Sequence, residues 1–263
     1  MTSPVALLLY GAAGRMGEAV LRIARDHESV IVVAAIVRAG SPLEGERIDA
    51  GSAANLVYTS TAPDDRAARV LVDFSGAHAF DAALALALER RIAFVSGSTG
   101  LSDAQRDALR VAAARIPVLW AANFSLGVVV LTHLVAQAAR LLPAWDCEIS
   151  EAHHRHKRDS PSGTALMLGR AVAQARDREA DPANTDRGGP RVAGSTGYAV
   201  VRGGDIVGEH AVMFIGEGER IEVGHRAGNR DIFARGAIAA ARWLADRPPG
   251  SYAMADVLGL DRS

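Results

Sequence analysis

Short apolar runs alternate with amphipathic or alanine-rich segments through the first 125 residues of the chain. Turn residues bound each run, and each amphipathic segment has the spacing of a helix with one buried face. This alternation is typical of a parallel sheet with helices on both faces, a doubly wound α/β fold. The turn-rich stretch 39–67 predicts no element. The predicted strands are 5–10, 30–37, 70–75, 92–95 and 117–120, and the predicted helices end at Arg25, Glu89 and Arg115.

The second half of the chain has a different pattern, in which short strands are separated by glycine turns. Such short connections predict antiparallel pairing. One helix cannot cover both faces of the resulting sheet, so we expect its open face to be a subunit interface. The predicted strands are 145–150, 198–201, 210–214 and 220–223, and the predicted helices are 126–142, 164–175 and 231–245, the last stopped by Pro248, Pro249 and Gly250.

A glycine-rich segment, Gly11-Ala12-Ala13-Gly14-Arg15-Met16-Gly17, joins the first predicted strand to the first predicted helix. In that context glycines form the tight turn, admit a pyrophosphate against backbone N–H groups and let the helix pack closely on the sheet. The segment therefore predicts dinucleotide binding by a Rossmann-type domain over 1–125, completed by 234–263. Residues 126–233 are predicted to form a second α+β domain, on a mostly antiparallel open sheet, for substrate binding and oligomerisation.

The second strand ends without the acidic residue that commonly binds the ribose hydroxyls of NAD. Val37 and Arg38 stand there instead. Because an arginine can pair with a 2′-phosphate, Arg38 favours NADPH over NADH. The alternative is an arginine that only faces solvent.

Two later strands end in polar loops, Gly97–Gly100 and Ala121–Ser125. Loops at the carboxyl ends of parallel strands form the ligand crevice of this fold, so both loops are predicted to contact the cofactor. Ser102 and Gln105 follow the first loop at the spacing of a capping box, which predicts a helix start.

Histidines and charged residues are concentrated in Glu151–Ala165, between a predicted strand and a predicted helix. His153 can donate a proton near neutral pH, and Lys157 supplies a fixed cation or a second donor. Gly163 and Thr164 begin the helix, whose N-terminal N–H groups and dipole can hold a carboxylate. These residues suit an anionic, imine-like or unsaturated substrate that is protonated as it is reduced.

Two other interpretations of the same segment are open. The His-His-x-His pattern with Glu151 resembles a zinc site, although the flanking Arg155, Lys157 and Arg158 would repel a metal cation. A solvated basic loop is the other alternative.

Composition narrows the class of protein. The 263 residues are 49% hydrophobic and 22% charged, as in soluble globular proteins, and the net charge of -1 argues against a nucleic-acid binder. The single cysteine, Cys147, excludes an internal disulfide and is predicted to be a packed thiol. No apolar run approaches the roughly 20 residues of a membrane span, and the N-terminus lacks a signal-peptide pattern. We expect a cytoplasmic protein without nucleic-acid or membrane partners.

The sequence resembles the 4-hydroxy-tetrahydrodipicolinate (dihydrodipicolinate) reductases nearly from end to end. The histidine-rich stretch is specific to that family, whereas the first glycine motif is not. The matching motifs are Gly11–Gly17, Asp73–Ser75, Gly97–Gly100, Ala121–Phe124, Glu151–Ala165 and Gly204–His210.

The resemblance implies an activity. The family reduces its cyclic dicarboxylate with NADPH or NADH, giving tetrahydrodipicolinate and water on the diaminopimelate route to lysine, and is usually a homotetramer built through the second domain. Some relatives carry a glutamate where this chain has Val37, which puts efficient NADH use in doubt. The alternatives are another NAD(P)-dependent reductase or dehydrogenase of a small amino-dicarboxylate, or a non-catalytic dinucleotide-binding redox sensor.

The resemblance also implies site residues, and none of them is a metal ligand. His153 matches the family's proton donor and acceptor, and Lys157 matches its second donor; which of them donates the decisive proton is open. His154, Gly163 and Thr164 match positions that hold the dicarboxylate. The cofactor contacts match Gly11, Ala12, Ala13, Gly14, Arg15, Met16, Gly97, Ser98, Thr99, Ala121, Ala122, Asn123 and Phe124.

Overall fold

A computed structural model describes residues 3–49, 56–63, 67–180, 185 and 188–260. The chain divides into two compact units, Met1–Ser125 with Asp231–Leu260, and Leu126–Arg230. The return to the first unit thus begins at Asp231, three residues before the position 234 proposed from the sequence. Parts of the stretch 39–67 and of the polar loop after Ala175 lie outside the described residues.

The first unit is built on a parallel sheet of seven strands in the order β11-β6-β5-β4-β1-β2-β3. Its strands are β1 Val5–Tyr10, β2 Val30–Ile36, β3 Tyr58–Thr59, β4 Val70–Asp73, β5 Ala93–Ser96, β6 Pro117–Trp120 and β11 Gly250–Tyr252. Its helices are α1 Arg15–Arg25, α2 Ala77–Arg90, α3 Asp103–Ala112, α6 Asp231–Leu244 and α7 Met254–Val257. The Rossmann-type prediction is confirmed.

Continuous burial of the central strands explains their apolar sequences. Leu8, Leu71 and Phe94 are fully buried and pack with residues of α2 and α3, such as Phe80 and Leu109. Since helices lie on both faces of a parallel sheet, its inner strands need apolar residues at every position rather than in alternation. The capping box at Ser102 and Gln105 forms as predicted and starts α3.

The second unit holds a four-stranded mixed sheet in the order β10-β9-β7-β8. Two helices, α4 and α5, pack on one face of this sheet around a single apolar cluster. The strands are β7 Asp146–His153, β8 Thr196–Arg202, β9 Glu209–Ile215 and β10 Arg220–Arg226, and the helices are α4 Leu126–Leu141 and α5 Gly163–Ala175.

The pairing of β8 differs from the prediction. The short connection after β8 predicted a hairpin with β9, but β7 lies between the two strands and pairs parallel with β8 and antiparallel with β9. The residues just before β8 account for this, because Arg191 forms an ion pair with Glu148 and donates to the Cys147 carbonyl oxygen at 3.0 Å. These contacts hold the start of β8 beside β7. The β9–β10 pair is antiparallel as predicted.

Cys147 lies on the core face of β7 and is fully buried, which confirms the packed thiol. Burial raises the pKa of this thiol to about 11. A thiol with so high a pKa carries little thiolate at neutral pH, so Cys147 is a packing residue rather than a nucleophile.

The sequence analysis missed three short elements, β3, β11 and α7. Each has four residues or fewer, too few to show a hydrophobic period. In the part of the chain that the structure describes, no helix has the length and apolar character needed to span a bilayer.

Candidate active site

In the first unit, the carboxyl ends of four neighbouring strands meet at one edge of the sheet. Tyr10 of β1 is in register with Asp73 of β4, Asp73 with Ser96 of β5, and Ser96 with Trp120 of β6. The strand order reverses at β1, because β2 lies on one side of it and β4 on the other. Ligands of doubly wound sheets bind at such a reversal.

The glycine-rich turn lies at this reversal. Gly11 has φ +81°, and a Cβ there would come within 2.8 Å of the Phe74 and Ser75 backbones. The Gly11 and Ala12 N–H groups both donate to the Ile36 carbonyl oxygen at 3.0 Å, which fixes the turn to β2. A Cβ at Gly17 would meet the Ala12 carbonyl oxygen at 2.5 Å, so α1 can pack this closely on the turn only with glycine there.

The start of α1 has the features of an anion site. Its N-cap is Gly14, which is exposed and has no side chain to satisfy the first N–H groups of the helix. Uncapped N–H groups and the positive end of the helix dipole bind phosphate groups. The turn therefore fits a pyrophosphate.

Asp73 organises the neighbouring loops. Its fully buried carboxylate accepts hydrogen bonds from the Ser75 N–H at 2.9 Å and the Ser75 hydroxyl at 2.6 Å. The hydroxyls of Ser96 and Ser98 donate to its other oxygen at 2.7 and 2.8 Å. We call these four residues the Asp73 cluster. The cluster therefore fixes the loops after β4 and β5 through neutral amide and hydroxyl donors.

The Gly97–Gly100 loop packs against two aromatic rings. A Cβ at Gly97 would lie 2.7 Å from Cδ1 of Phe74 and 3.1 Å from Cε2 of Phe124. The two rings meet edge to face with centroids 5.6 Å apart. The Trp120 indole N–H donates to the Ser98 carbonyl oxygen at 2.8 Å. These contacts join the loops after β4, β5 and β6.

The residues of the first unit that were predicted to contact the cofactor differ in their exposure. The hydroxyl of Ser98 is used within the Asp73 cluster, so this side chain shapes the loop. Phe124 is buried as a wall of the Gly97 loop, while Arg38 is exposed just beyond the end of β2. Exposed or half-buried positions are Gly11, Ala13, Gly14, Arg15, Met16, Gly97, Thr99, Ala121, Ala122 and Asn123, and Ala12 is buried.

In the second unit, His153 is the last residue of β7 and is 9% exposed. Its Nδ1 lies 2.6 Å from Oε2 of Glu151, which is 2% exposed. Side chains two residues apart on a strand share a face, so the alternation of β7 brings this pair together. Gly208 packs against the other ring nitrogen, since a Cβ there would lie 3.0 Å from Nε2.

Glu151 has two further partners. Arg202 at the end of β8 binds it through both guanidinium ends, at 2.7 and 2.8 Å, and the Ser162 N–H donates to Oε1 at 2.9 Å. Burial alone would raise the pKa of this carboxyl, but the hydrogen bonds from Arg202, His153 and Ser162 outweigh burial and lower it. We call Glu151, His153, Ser162 and Arg202 the Glu151 cluster. Its carboxylate is ionised at neutral pH.

Ser162 joins the Glu151 cluster to helix α5 and to a second buried histidine. It is the N-cap of α5, and its hydroxyl accepts the Ala165 N–H at 3.2 Å. The same hydroxyl lies 3.0 Å from Nε2 of His210, which is 6% exposed. Burial, and then the charge of His153, lowers the pKa of His210 to about 4. His210 is therefore neutral in the folded protein.

The start of α5 suits an anion. Gly163 is exposed, and a Cβ there would meet nothing within 4 Å. Thr164 is half-buried, and the first turn of α5 carries no acidic residue. The first turn of α5 therefore adds no negative charge of its own that would repel a carboxylate.

Lys157 and His154 lie in the loop after β7. The Lys157 ammonium group contacts both carboxylate oxygens of Asp159, at 2.9 and 2.8 Å, and its side chain is 20% exposed. His154 is half-buried, and partial burial followed by the charge of Arg230 lowers its pKa. The structure thus pairs Lys157 with Asp159 rather than with the Glu151 cluster.

The zinc interpretation of the histidine cluster gains no support. Among the residues that the structure describes, no group of three or more His, Cys, Asp or Glu side chains is arranged to hold a metal ion. Glu151, the carboxylate considered for that site, is bound to Arg202 and His153 instead.

Sequence reasoning missed the buried partners of both clusters. The signal for Glu151 was present, because Glu151 and His153 are separated by two positions on one strand. Asp73 likewise ends an apolar strand with a polar residue. Neither Arg202 nor His210 was assigned to the site from the sequence, although His210 ends the family motif Gly204–His210, since β8 and β9 reach β7 only through the sheet register.

Known proteins are similar to this chain over nearly its whole length. The chain is 50% identical over 256 residues to the 4-hydroxy-tetrahydrodipicolinate reductase of Stenotrophomonas maltophilia strain K279a, covering 97% of this chain and 98% of the relative. It is 50% identical to the same enzyme of Xanthomonas campestris pv. campestris strain B100, covering 98% and 99%. A solved structure, the dipicolinate-bound dihydrodipicolinate reductase from Paenisporosarcina sp. TG-14, shares the fold with a TM-score of 0.77 at 21% identity, covering 95% of this chain and 97% of that one.

Two family models cover almost the entire chain. Residues 5–124 match the dihydrodipicolinate reductase N-terminus and residues 127–258 match its C-terminus. Together with relatives that are half identical over nearly their full length, these matches show that the chain belongs to the dihydrodipicolinate reductase family.

Proposed function

We propose that this protein reduces 4-hydroxy-tetrahydrodipicolinate to tetrahydrodipicolinate and water with a hydride from NAD(P)H, on the diaminopimelate route to lysine. The observation that carries the proposal is the Glu151 cluster, which ties a buried histidine to the N-cap of a helix that can hold a carboxylate. Relatives also support the proposal, because proteins that are 50% identical to this chain are named for this activity.

The first unit holds the cofactor in this proposal. The uncapped start of α1 binds the pyrophosphate, and Gly11 and Gly17 allow the turn to pack closely on the Phe74–Ser75 backbone and on α1. The loops 97–99 and 121–124, joined through Phe74 and Trp120, border the nicotinamide end. When bound, the dihydronicotinamide supplies the hydride.

Preference for NADPH is a further part of the proposal. Val37 is buried at the end of β2, so it offers no acceptor to a ribose hydroxyl, and Arg38 follows it on the surface. A guanidinium at this position pairs with a 2′-phosphate and contributes nothing comparable to NADH.

The second unit holds the substrate and moves protons. The start of α5 at Gly163 and Thr164, together with His154 of the loop after β7, holds the dicarboxylate. His153, as an imidazolium, protonates the ring atom next to the one that is reduced, and the Glu151 carboxylate stabilises that cation. Lys157 is the second candidate donor, and it must leave Asp159 to act.

We also propose assembly into a homotetramer through the second unit. Its two described helices cover one face of the sheet, and the opposite face displays Ala152, Val201, Ala211 and Met213. Val201 is 55% exposed. A sheet face with this apolar content suits a symmetric contact between copies.

Steady-state kinetics test the proposal. Wild-type protein, with 4-hydroxy-tetrahydrodipicolinate formed in situ, is expected to oxidise NADPH faster than NADH at equal low concentrations. Replacing His153 with Gln is expected to lower kcat by roughly 10²–10⁴ with little change in the KM for the cofactor. Replacing Arg38 with Ala is expected to raise the KM for NADPH a few-fold, since an exposed ion pair contributes about 0.2–1 kcal/mol, and to leave the KM for NADH unchanged.

Three outcomes would contradict the proposal. Turnover of a different amino-dicarboxylate in preference to this one would replace the substrate. Tight cofactor binding without turnover of any of them would support a sensor. An unchanged kcat in the His153→Gln protein would remove the proton-donor role.

A further inference from the structure

We infer that Glu151 is a positioning residue that sets the reactive nitrogen of His153 and, through the same carboxylate, the start of the helix that receives the substrate. The inference rests on the proposed function for the role of His153 as proton donor. In this inference, the buried Glu151 side chain aligns the proton-transfer part of the second unit with its anion-binding part.

The hydrogen bond to Glu151 determines which nitrogen of the imidazole ring carries the hydrogen. An ionised carboxylate has no proton to donate, so a neutral His153 ring that bonds to Glu151 through Nδ1 must carry its hydrogen there. Nε2 is then the atom that gives and regains the catalytic proton. The hydrogen bonds from Arg202, His153 and Ser162 lower the pKa of Glu151 against the effect of its burial, which keeps the carboxylate ionised.

Access to Nε2 of His153 depends on Gly208 and on the burial of the ring. Gly208 is the residue packed beside this nitrogen, and any Cβ at that position would lie 3.0 Å from it. The His153 side chain is 11% exposed, so the passage to the ring is narrow. Glycine at 208 keeps the passage open on the side opposite to Glu151.

The Glu151 carboxylate also contacts the start of α5, through the N-cap residue Ser162. One oxygen of Glu151, Oε1, accepts the Ser162 N–H at 2.9 Å, and the other, Oε2, lies 2.6 Å from His153 Nδ1. Ser162 is the N-cap from which Gly163 and Thr164 follow. A shift of this carboxylate would therefore move both the imidazole and the helix start.

Arg202 makes the arrangement rigid. Its two terminal nitrogens bind the two oxygens of Glu151, and Nη2 also donates to the Asp159 carbonyl oxygen at 2.8 Å. Bidentate pairing fixes the plane of the carboxylate. A purely structural ion pair between Arg202 and Glu151 would explain this contact but would not require the bonds to His153 and Ser162.

The test compares Glu151→Gln with a matched control, Glu148→Gln. Glu148 lies on the same strand and is also paired with an arginine, Arg191, but it occupies the opposite face from His153. Long-range ¹H–¹⁵N NMR spectra of the histidine-labelled proteins report which ring nitrogen carries the hydrogen. Size-exclusion chromatography checks that both variants keep the wild-type assembly.

We expect a wild-type His153 with hydrogen on Nδ1, and a mixed population of the two tautomers in Glu151→Gln. We expect kcat to fall roughly 10–10³-fold and the KM for substrate to rise a few-fold, with the KM for NADPH unchanged. Glu148→Gln should keep the wild-type tautomer and a kcat within about twofold of wild type. If Glu151→Gln does not fold, Glu151→Asp gives the same readings, with a smaller fall in kcat because its shorter side chain still bears a charge.

A folded Glu151→Gln or Glu151→Asp protein with the wild-type tautomer and wild-type kcat would overturn the inference. So would a wild-type His153 with its hydrogen on Nε2. These readings differ from a failure of the proposed function, in which the wild-type protein would not turn over the substrate while the NMR result would still show how Glu151 acts on His153.

Discussion

Each unit places a buried carboxylate at or near the end of a central strand, and the two carboxylates are stabilised in opposite ways. Asp73 of β4 is surrounded by the Ser75 N–H and three serine hydroxyls, all neutral. Glu151 of β7 is held by the Arg202 guanidinium, the His153 ring and one backbone N–H.

The difference follows from what each cluster has to do. Serine hydroxyls and backbone amides are neutral donors, so the Asp73 cluster fixes the loops after β4 and β5 without a charged partner. A guanidinium is a permanent donor and an imidazole ring can give or take a proton, so under the proposed function the Glu151 cluster couples loop geometry to proton transfer. Under the proposed function, the neutral cluster lies in the unit that binds the cofactor and the charged cluster lies in the unit that moves protons.

Removal of one donor from each cluster gives the largest expected contrast. Arg202→Met leaves Glu151 buried without its cation and should lower the free energy of unfolding of the second unit by about 3–5 kcal/mol. Ser96→Ala leaves Asp73 with three donors and should cost the first unit about 1 kcal/mol. Native-state hydrogen exchange, read separately for amides of β7 and of β4, measures both values. Equal losses in the two units would show that the charged partners have no special role.

Acidification should also distinguish the two units, by lowering the stability of the second one. The pKa of His210 is lowered to about 4, below its ordinary value of 6.5, so between these values the unfolded state binds more protons than the folded state. Stability of the second unit therefore falls as the pH drops through this range, by up to roughly 3 kcal/mol. Urea unfolding of wild type and His210→Gln at about pH 7 and about pH 4 measures the effect. A wild-type protein that loses no more stability than the variant would contradict the assignment.

Glycine substitutions give the smallest effects and compare the proposed nicotinamide loop with the proposed substrate site. Gly97→Ala places a methyl group against the rings of Phe74 and Phe124, so it should destabilise the first unit by about 1–3 kcal/mol and weaken cofactor binding. Gly163→Ala meets open space, so stability should change by less than about 0.5 kcal/mol while the KM for substrate rises. Thermal unfolding and steady-state kinetics provide the measurements. A stable, wild-type-like Gly97→Ala protein would show that the loop adapts.

Much of the architecture was predictable because its signals are local. The apolar runs of β1, β4 and β5, the glycine turn at Gly11 and the capping box at Ser102 each depend on a few consecutive residues. The strand partner of β8 was not predictable in this way. Its position beside β7 depends on Arg191 and on the packing of α5, which lie outside the short connection that suggested a hairpin.

The sequence by itself determined that the chain alternates strands and helices, carries a dinucleotide-type turn and concentrates histidines before a helix, since hydrophobic periods and glycine spacing act over one element. Only the tertiary structure decided that Arg202 from β8 and His210 from β9 flank the Glu151–His153 pair of β7. The physical reason is that sheet register, which no single segment encodes, sets which side chains of different strands become neighbours.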